Sequence, residues 1–161
     1  MPDSSPATAS DLPGVVIFPP VLFVLCLLAA LAGHWLWPLA TGVPWLPRMV
    51  VAAVALASAV VLGVGGERAL HGAGTNVSPR QPTTTVVTSG IYRYTRNPLY
   101  LGLLCLYTAL ALALDSLWPF VLWVVLLPVL SQGIVAREER YLVAKFGAAY
   151  QNYRVRVRRW I

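Results

Sequence analysis

Four apolar stretches dominate this chain, at about residues 15–39, 49–66, 98–114 and 117–136. Crossing the hydrocarbon of a bilayer takes about 20 residues of helix. A lipid interior tolerates only backbones that satisfy their own hydrogen bonds, so runs of this kind specify helices. Only 11% of the residues are charged and 58% are hydrophobic, whereas a soluble domain carries about a quarter charged residues. The 161 residues therefore read as one domain, 1–161, all-α and integral to a membrane, with four transmembrane helices.

Local signals refine each run. Pro19 and Pro20 open the first, where a missing N–H is tolerated, and His34, Trp35 and Trp37 close it as an interfacial belt. In the second, Ala55, Ala59 and Gly63 form a stripe of small residues that admits a close neighbouring helix, within or between chains. Only Asp115 and Ser116 separate the third run from the fourth, which predicts a tight helical hairpin with Asp115 as N-cap of the fourth helix. Pro128 predicts a kink, and the helical pattern continues past the membrane through Arg137 to Phe146 as a C-terminal extension. Between the second and third runs, Glu67 to Asn97 reads as a long, ordered, mostly extended loop, too rich in Gly, Pro and β-branched residues for helix.

Charge placement sets the orientation. The long loop holds Arg68, Arg80, Arg93 and Arg96. The C-terminal region holds Arg137, Arg140, Lys145, Arg154, Arg156, Arg158 and Arg159, which leaves Arg48 alone for the opposite side. Both termini and the long loop are thus expected in the cytoplasm. The net charge of +6 is a topology signal here, not a sign of nucleic-acid binding. Met1 to Leu12 is polar and acidic and lacks the positive region of a signal peptide, so the first run is expected to be retained. Cys26 and Cys105 lie inside apolar runs with no partner at ligand spacing, and no metal site is expected.

Two clusters can carry chemistry. The first is Gly90 to Gly102, where Tyr92, Arg93, Tyr94, Arg96, Asn97 and Tyr100 gather at the mouth of the third run. Asn97 suits an N-cap and Pro98 a first helical residue, so free N–H groups and a positive dipole end face out beside two arginines, a site for a carboxylate or phosphate. The competing reading is interfacial anchoring. The second cluster is Arg137-Glu138-Glu139-Arg140, followed by Tyr141, Tyr150 and Tyr153. Adjacent acids diverge by about 100° on a helix, so one of Glu138 and Glu139 can face inward while the other meets solvent. Pairing with Arg137 and Arg140 is the plainer alternative. The tail Arg154 to Trp160 alternates basic and apolar residues and suits anionic headgroups.

Together these segments resemble the isoprenylcysteine carboxyl methyltransferases and their relatives, the phospholipid methyltransferases. The resemblance rests on Gly90-Ile91-Tyr92, Arg96-Asn97-Pro98-Leu99-Tyr100-Leu101-Gly102, the pair Glu138-Glu139, and Phe146-Gly147 with Tyr150 and Tyr153, with Gly74-Thr75 and Pro79 upstream. It implies S-adenosylmethionine as cofactor, held in the half 74–160 by Tyr92, Arg96, Asn97, Pro98 and Tyr100 on one side and by Glu138 and Glu139 on the other. Arg96 and Glu139 are the residues implied as catalytic. Asn97 stands where many members have histidine, so no titrating group is expected there. The implied partners are the lipid bilayer and a lipophilic or prenylated acceptor. Isoprenylcysteine-type O-methylation leads, ahead of phospholipid N-methylation, a nicotinamide-dependent membrane reductase of related architecture, and a non-enzymatic scaffold; an oligomer is compatible with the small-residue stripe.

Overall fold

The computed structural model describes residue 14 and residues 17–78 and 81–161. The expectation about Met1 to Leu12, the first two residues of the first apolar run, and Pro79 and Arg80 lie outside the described residues. Among the described residues six α-helices succeed one another: α1 (Pro19–Leu36), α2 (Trp45–Gly72), α3 (Pro98–Ala113), α4 (Trp118–Pro128), α5 (Ala136–Phe146) and α6 (Ala148–Arg156). A 3₁₀ turn spans Gly90–Arg93 and a π-helical stretch, Val129–Val135, joins α4 to α5. There is no strand among the described residues.

Among the described residues three helical segments are long and apolar enough to cross a membrane, Pro19–Leu36, Trp45–Gly72 and Trp118–Phe146, while Pro98–Ala113 is apolar but shorter. Their outward faces are apolar too: Val50, Val51, Val54, Val60 and Val61 of α2 and Val124 and Val125 of α4 are exposed. Such surfaces are stable against lipid and costly in water. The interior is formed by Leu22, Phe23 and Cys26 of α1, Tyr107 of α3, and Leu126, Leu130, Ile134 and Val135 of the last long segment.

α3 packs most extensively on α2. The small-residue stripe makes this possible within the chain: a Cβ on Gly102 would lie 3.3 Å from both the Ala59 carbonyl oxygen and the Gly63 nitrogen. Both are backbone atoms of a helix and cannot swing aside. Gly102→Leu is therefore expected to lower stability by about 1–3 kcal/mol through overpacking, read as a lower unfolding temperature in detergent.

Two boundaries differ from the sequence expectation, and both have local causes. The second helix does not stop at Gly66 but runs on to Gly72, because Glu67 to Leu70 are good helix formers even though they are no longer uniformly apolar. It ends in a Schellman motif: Gly74 adopts φ +67°, its N–H donates to the His71 carbonyl, and the Thr75 N–H donates to the Leu70 carbonyl. Asp115 does not cap the fourth helix. It is the left-handed residue (φ 52°) of the same motif at the end of α3, with its own N–H on Leu112 and the Ser116 N–H on Ala111. Its carboxylate accepts from the Thr41 N–H and hydroxyl and pairs with Arg48, while the Ser116 hydroxyl accepts from the Trp118 N–H at 3.3 Å.

Pro128 closes α4, and the irregularity it introduces is taken up in the adjoining π-helical turns. Proline removes one N–H and crowds the carbonyl four residues back, and wider turns relieve both. Thr83 to Thr88 form neither helix nor strand.

Candidate functional site

Where α3 begins and α5 leaves the bundle, an open cleft is lined by Tyr92, Arg96, Asn97, Pro98, Tyr100, Glu138 and Glu139. These residues come from two clusters about forty positions apart in sequence. The loop segment Thr83, Thr85, Val86 and Val87 covers one side, and Tyr141, Leu142, Tyr150 and Tyr153 complete the wall.

Each side chain is placed by an identifiable local cause. Pro98 is the first residue of α3 and Asn97 sits at the N-cap position, its carbonyl accepting from the Leu101 N–H. The Asn97 side chain makes no cap, contrary to the sequence reading. Its Nδ2 donates instead to the Arg159 carbonyl at 2.9 Å. The Tyr153 hydroxyl donates to the Tyr92 carbonyl at 2.8 Å, which locks α6 to the 3₁₀ turn. Gly147 joins α5 to α6 with φ 52° and ψ −125°, a backbone that favours glycine and turns Tyr150 and Tyr153 toward the cleft.

The two glutamates have different partners. Glu139 is buried, and its carboxylate receives Arg159 through both oxygens, Nε to Oε1 at 3.1 Å and Nη2 to Oε2 at 2.6 Å. Arg96 Nη1 lies 3.0 Å from the same Oε1, and both side chains are less than a tenth exposed. Glu138 accepts the Tyr100 hydroxyl at 2.5 Å. Glu139 is thus fully engaged by two arginines, and Glu138 is the acid left with accepting capacity toward the cleft.

The triad holds two positive charges against one negative. Arg96 donates to the Tyr150 hydroxyl and its Nη1 pairs with Glu139, but its buried Nε meets no hydrogen-bond acceptor among the described residues. Buried donors of this kind are rare and call for an acceptor. The hydrogen bond to Glu139 raises the pKa of Arg159 further above its ordinary value, so its charge is permanent. Burial pushes the phenols of Tyr92, Tyr150 and Tyr153 up. They stay protonated near neutral pH and serve as donors and ring faces, not as bases.

Arg159 was not legible in the sequence as part of this site. Its tail, read there as a headgroup-binding strip, folds back onto the start of α3. The Arg96 N–H donates to the Arg158 carbonyl at 3.1 Å, and the Thr95 hydroxyl to the Arg159 carbonyl at 3.2 Å. Arg93, in the 3₁₀ turn, is exposed and does not line the cleft.

Comparison with known proteins points to one family. The family model for phospholipid methyltransferase matches residues 47–149. An uncharacterized protein of Haemophilus influenzae is 38% identical over 63 residues, 39% of this chain and all of that protein. The protein-S-isoprenylcysteine O-methyltransferase of Schizosaccharomyces pombe is 36% identical over 85 residues, half of this chain. This chain spans about a third of that enzyme, 34% of its length. No solved structure matches.

Proposed function

Because the chain belongs to the phospholipid methyltransferase family, we propose that it transfers a methyl group from S-adenosylmethionine to a lipid-like or prenylated acceptor at the cytoplasmic membrane face. The observation that carries this reading is the buried Arg96, short of acceptors, in one cleft with the Glu138–Tyr100 pair. A zwitterionic amino-acid end has a carboxylate for the first and an ammonium for the second, so the residues present fit the methyl donor. When bound, that donor supplies a methyl group already activated on a sulfonium.

The chain's own residues then provide alignment, which is the larger part of such a reaction. Arg96 and the N–H groups of the first turn of α3 hold the carboxylate. Glu138, oriented by Tyr100, takes the ammonium or ribose hydroxyls. Tyr92 and Tyr150 offer ring faces to a flat base or a cation. Asn97 and Pro98 form the wall at the helix start, and Glu139 acts through the arginines it holds.

The placement in the membrane is set by the charges. α3, with 16 residues, is about 24 Å long at 1.5 Å per residue and serves as a fourth, short crossing. The basic loop and tail support a cytoplasmic position for the cleft and both termini, and in this reading the acceptor enters from the bilayer between helices.

The match to an isoprenylcysteine O-methyltransferase favours a carboxylate acceptor, which needs no base. The family description favours a phospholipid amine, whose proton Glu138 is placed to receive. Incubating purified protein with methyl-labelled donor and a lipid extract is expected to give a labelled lipid. Release of the label as methanol by alkali identifies an ester, and alkali-stable label identifies an amine. Absence of any labelled lipid, with the folded protein verified in the same detergent, overturns the proposal.

A further inference from the structure

We infer that Arg159 is a positioning residue: by taking the charge of Glu139 it keeps the Arg96 guanidinium open for an anionic group of the ligand. The inference rests on the proposed methyl-donor site in the cleft and extends it to the C-terminal tail.

The geometry of the triad carries it. Arg159 occupies both oxygens of the Glu139 carboxylate, at 3.1 and 2.6 Å. That is the bidentate arrangement in which arginine binds a carboxylate best. Arg96 is left with a single approach to that carboxylate, Nη1 to Oε1, and a hydrogen bond to the Tyr150 hydroxyl, while its buried Nε meets no acceptor among the described residues. Without Arg159, the buried carboxylate has one cation near it, and the fork of Arg96 turns onto it. Two unit charges then cancel, and the cleft loses the positive group that faces it. With Arg159 present the triad keeps one net positive charge inside a site sheltered from water, where a charge attracts a ligand far more than in bulk solvent.

Arg159 can be separated from the tail it sits on. The tail is held by backbone groups, the Arg158 carbonyl on the Arg96 N–H and the Arg159 carbonyl on Thr95 and Asn97. Trp160 also packs against the apolar core. These contacts do not need the guanidinium, so Arg159→Met keeps the strap and removes only the charge and its hydrogen bonds.

The test uses the full chain in detergent, with S-adenosylhomocysteine as the calorimetric probe and methyl transfer as the kinetic readout. Arg159→Met is expected to weaken the probe about tenfold or more and to raise KM for the methyl donor with kcat and the acceptor KM little changed, the pattern of lost uniform binding. Arg159→Lys should recover part of the loss. The decisive variant is Glu139→Gln with Arg159→Met: with no carboxylate to capture Arg96, it should bind the probe more tightly than Arg159→Met alone. A double variant as weak as the product of the two singles overturns the inference. So does an Arg159→Met protein that binds like wild type and only unfolds earlier, which would leave Arg159 a structural strap. No probe binding by folded wild-type protein overturns the functional reading and this inference with it. Wild-type binding left unchanged in Arg159→Met overturns this inference alone.

Discussion

Glu139→Ala is expected to lower stability by about 3 kcal/mol and to abolish measurable binding of the methyl donor. Removing one partner of a buried ion pair typically costs about 3–5 kcal/mol, because the remaining charge stays desolvated. Here two cations lose their common anion. Arg159 is more than a third exposed and can relax into water, whereas the Arg96 side chain is 9% exposed and cannot. The loss therefore belongs at the lower end of that range. Glu139→Gln keeps the shape and some hydrogen bonds, and should fall between wild type and Glu139→Ala. Chemical unfolding in detergent, paired with calorimetry of donor binding, measures both quantities. A Glu139→Ala protein within about 0.5 kcal/mol of wild type, the scatter of ordinary surface changes, would show that the triad does not hold the site together.

Composition and periodicity were sufficient for three long apolar helices and the shorter α3, because lipid leaves the backbone few choices. The start of α3 at Pro98 and the small-residue contact between α2 and α3 arise from chemistry local to each helix. Apart from the end of α2, the misread roles belong to residues whose partners are distant in sequence. Asp115 has the composition of an N-cap, and only the fold reveals that it ends the preceding helix and reaches Arg48 and Thr41. Asn97 likewise occupies the N-cap position but spends its side chain on the Arg159 carbonyl.

The direction of the two glutamates was not predictable for a different reason. The segment Val129–Val135 is π-helical, and each extra residue in a turn rotates the downstream helix by about 100° relative to a regular α-helix. A helical wheel drawn across Pro128 therefore assigns Glu138 and Glu139 to faces no better than chance. The contact of the tail with the site was the least legible feature. Alternating arginine and valine describes a membrane-surface strip as well as it describes a folded-back strap, and the carbonyls that fix Arg159 leave no trace in sequence spacing.

Glu138→Gln is expected to weaken donor binding by about 30-fold or more, and Tyr100→Phe by about tenfold or less. Truncating a buried, hydrogen-bonded charge that meets its ligand costs about 2–5 kcal/mol, while losing one neutral donor costs about 1 kcal/mol. The ordering matters more than either size. Tyr100 donates to Glu138 at 2.5 Å, a short charge-assisted bond, and this bond fixes which carboxylate oxygen turns toward the cleft. If Tyr100 acts only by orienting Glu138, it has nothing to orient once the charge is gone. The double variant should then bind as weakly as Glu138→Gln alone, a coupling between touching residues that a double-mutant cycle reads directly. Additive losses, or a Tyr100→Phe effect larger than that of Glu138→Gln, would make the phenol itself the ligand contact. Glu138 would then be the residue that positions it, and the ammonium or ribose assigned to Glu138 would need another acceptor.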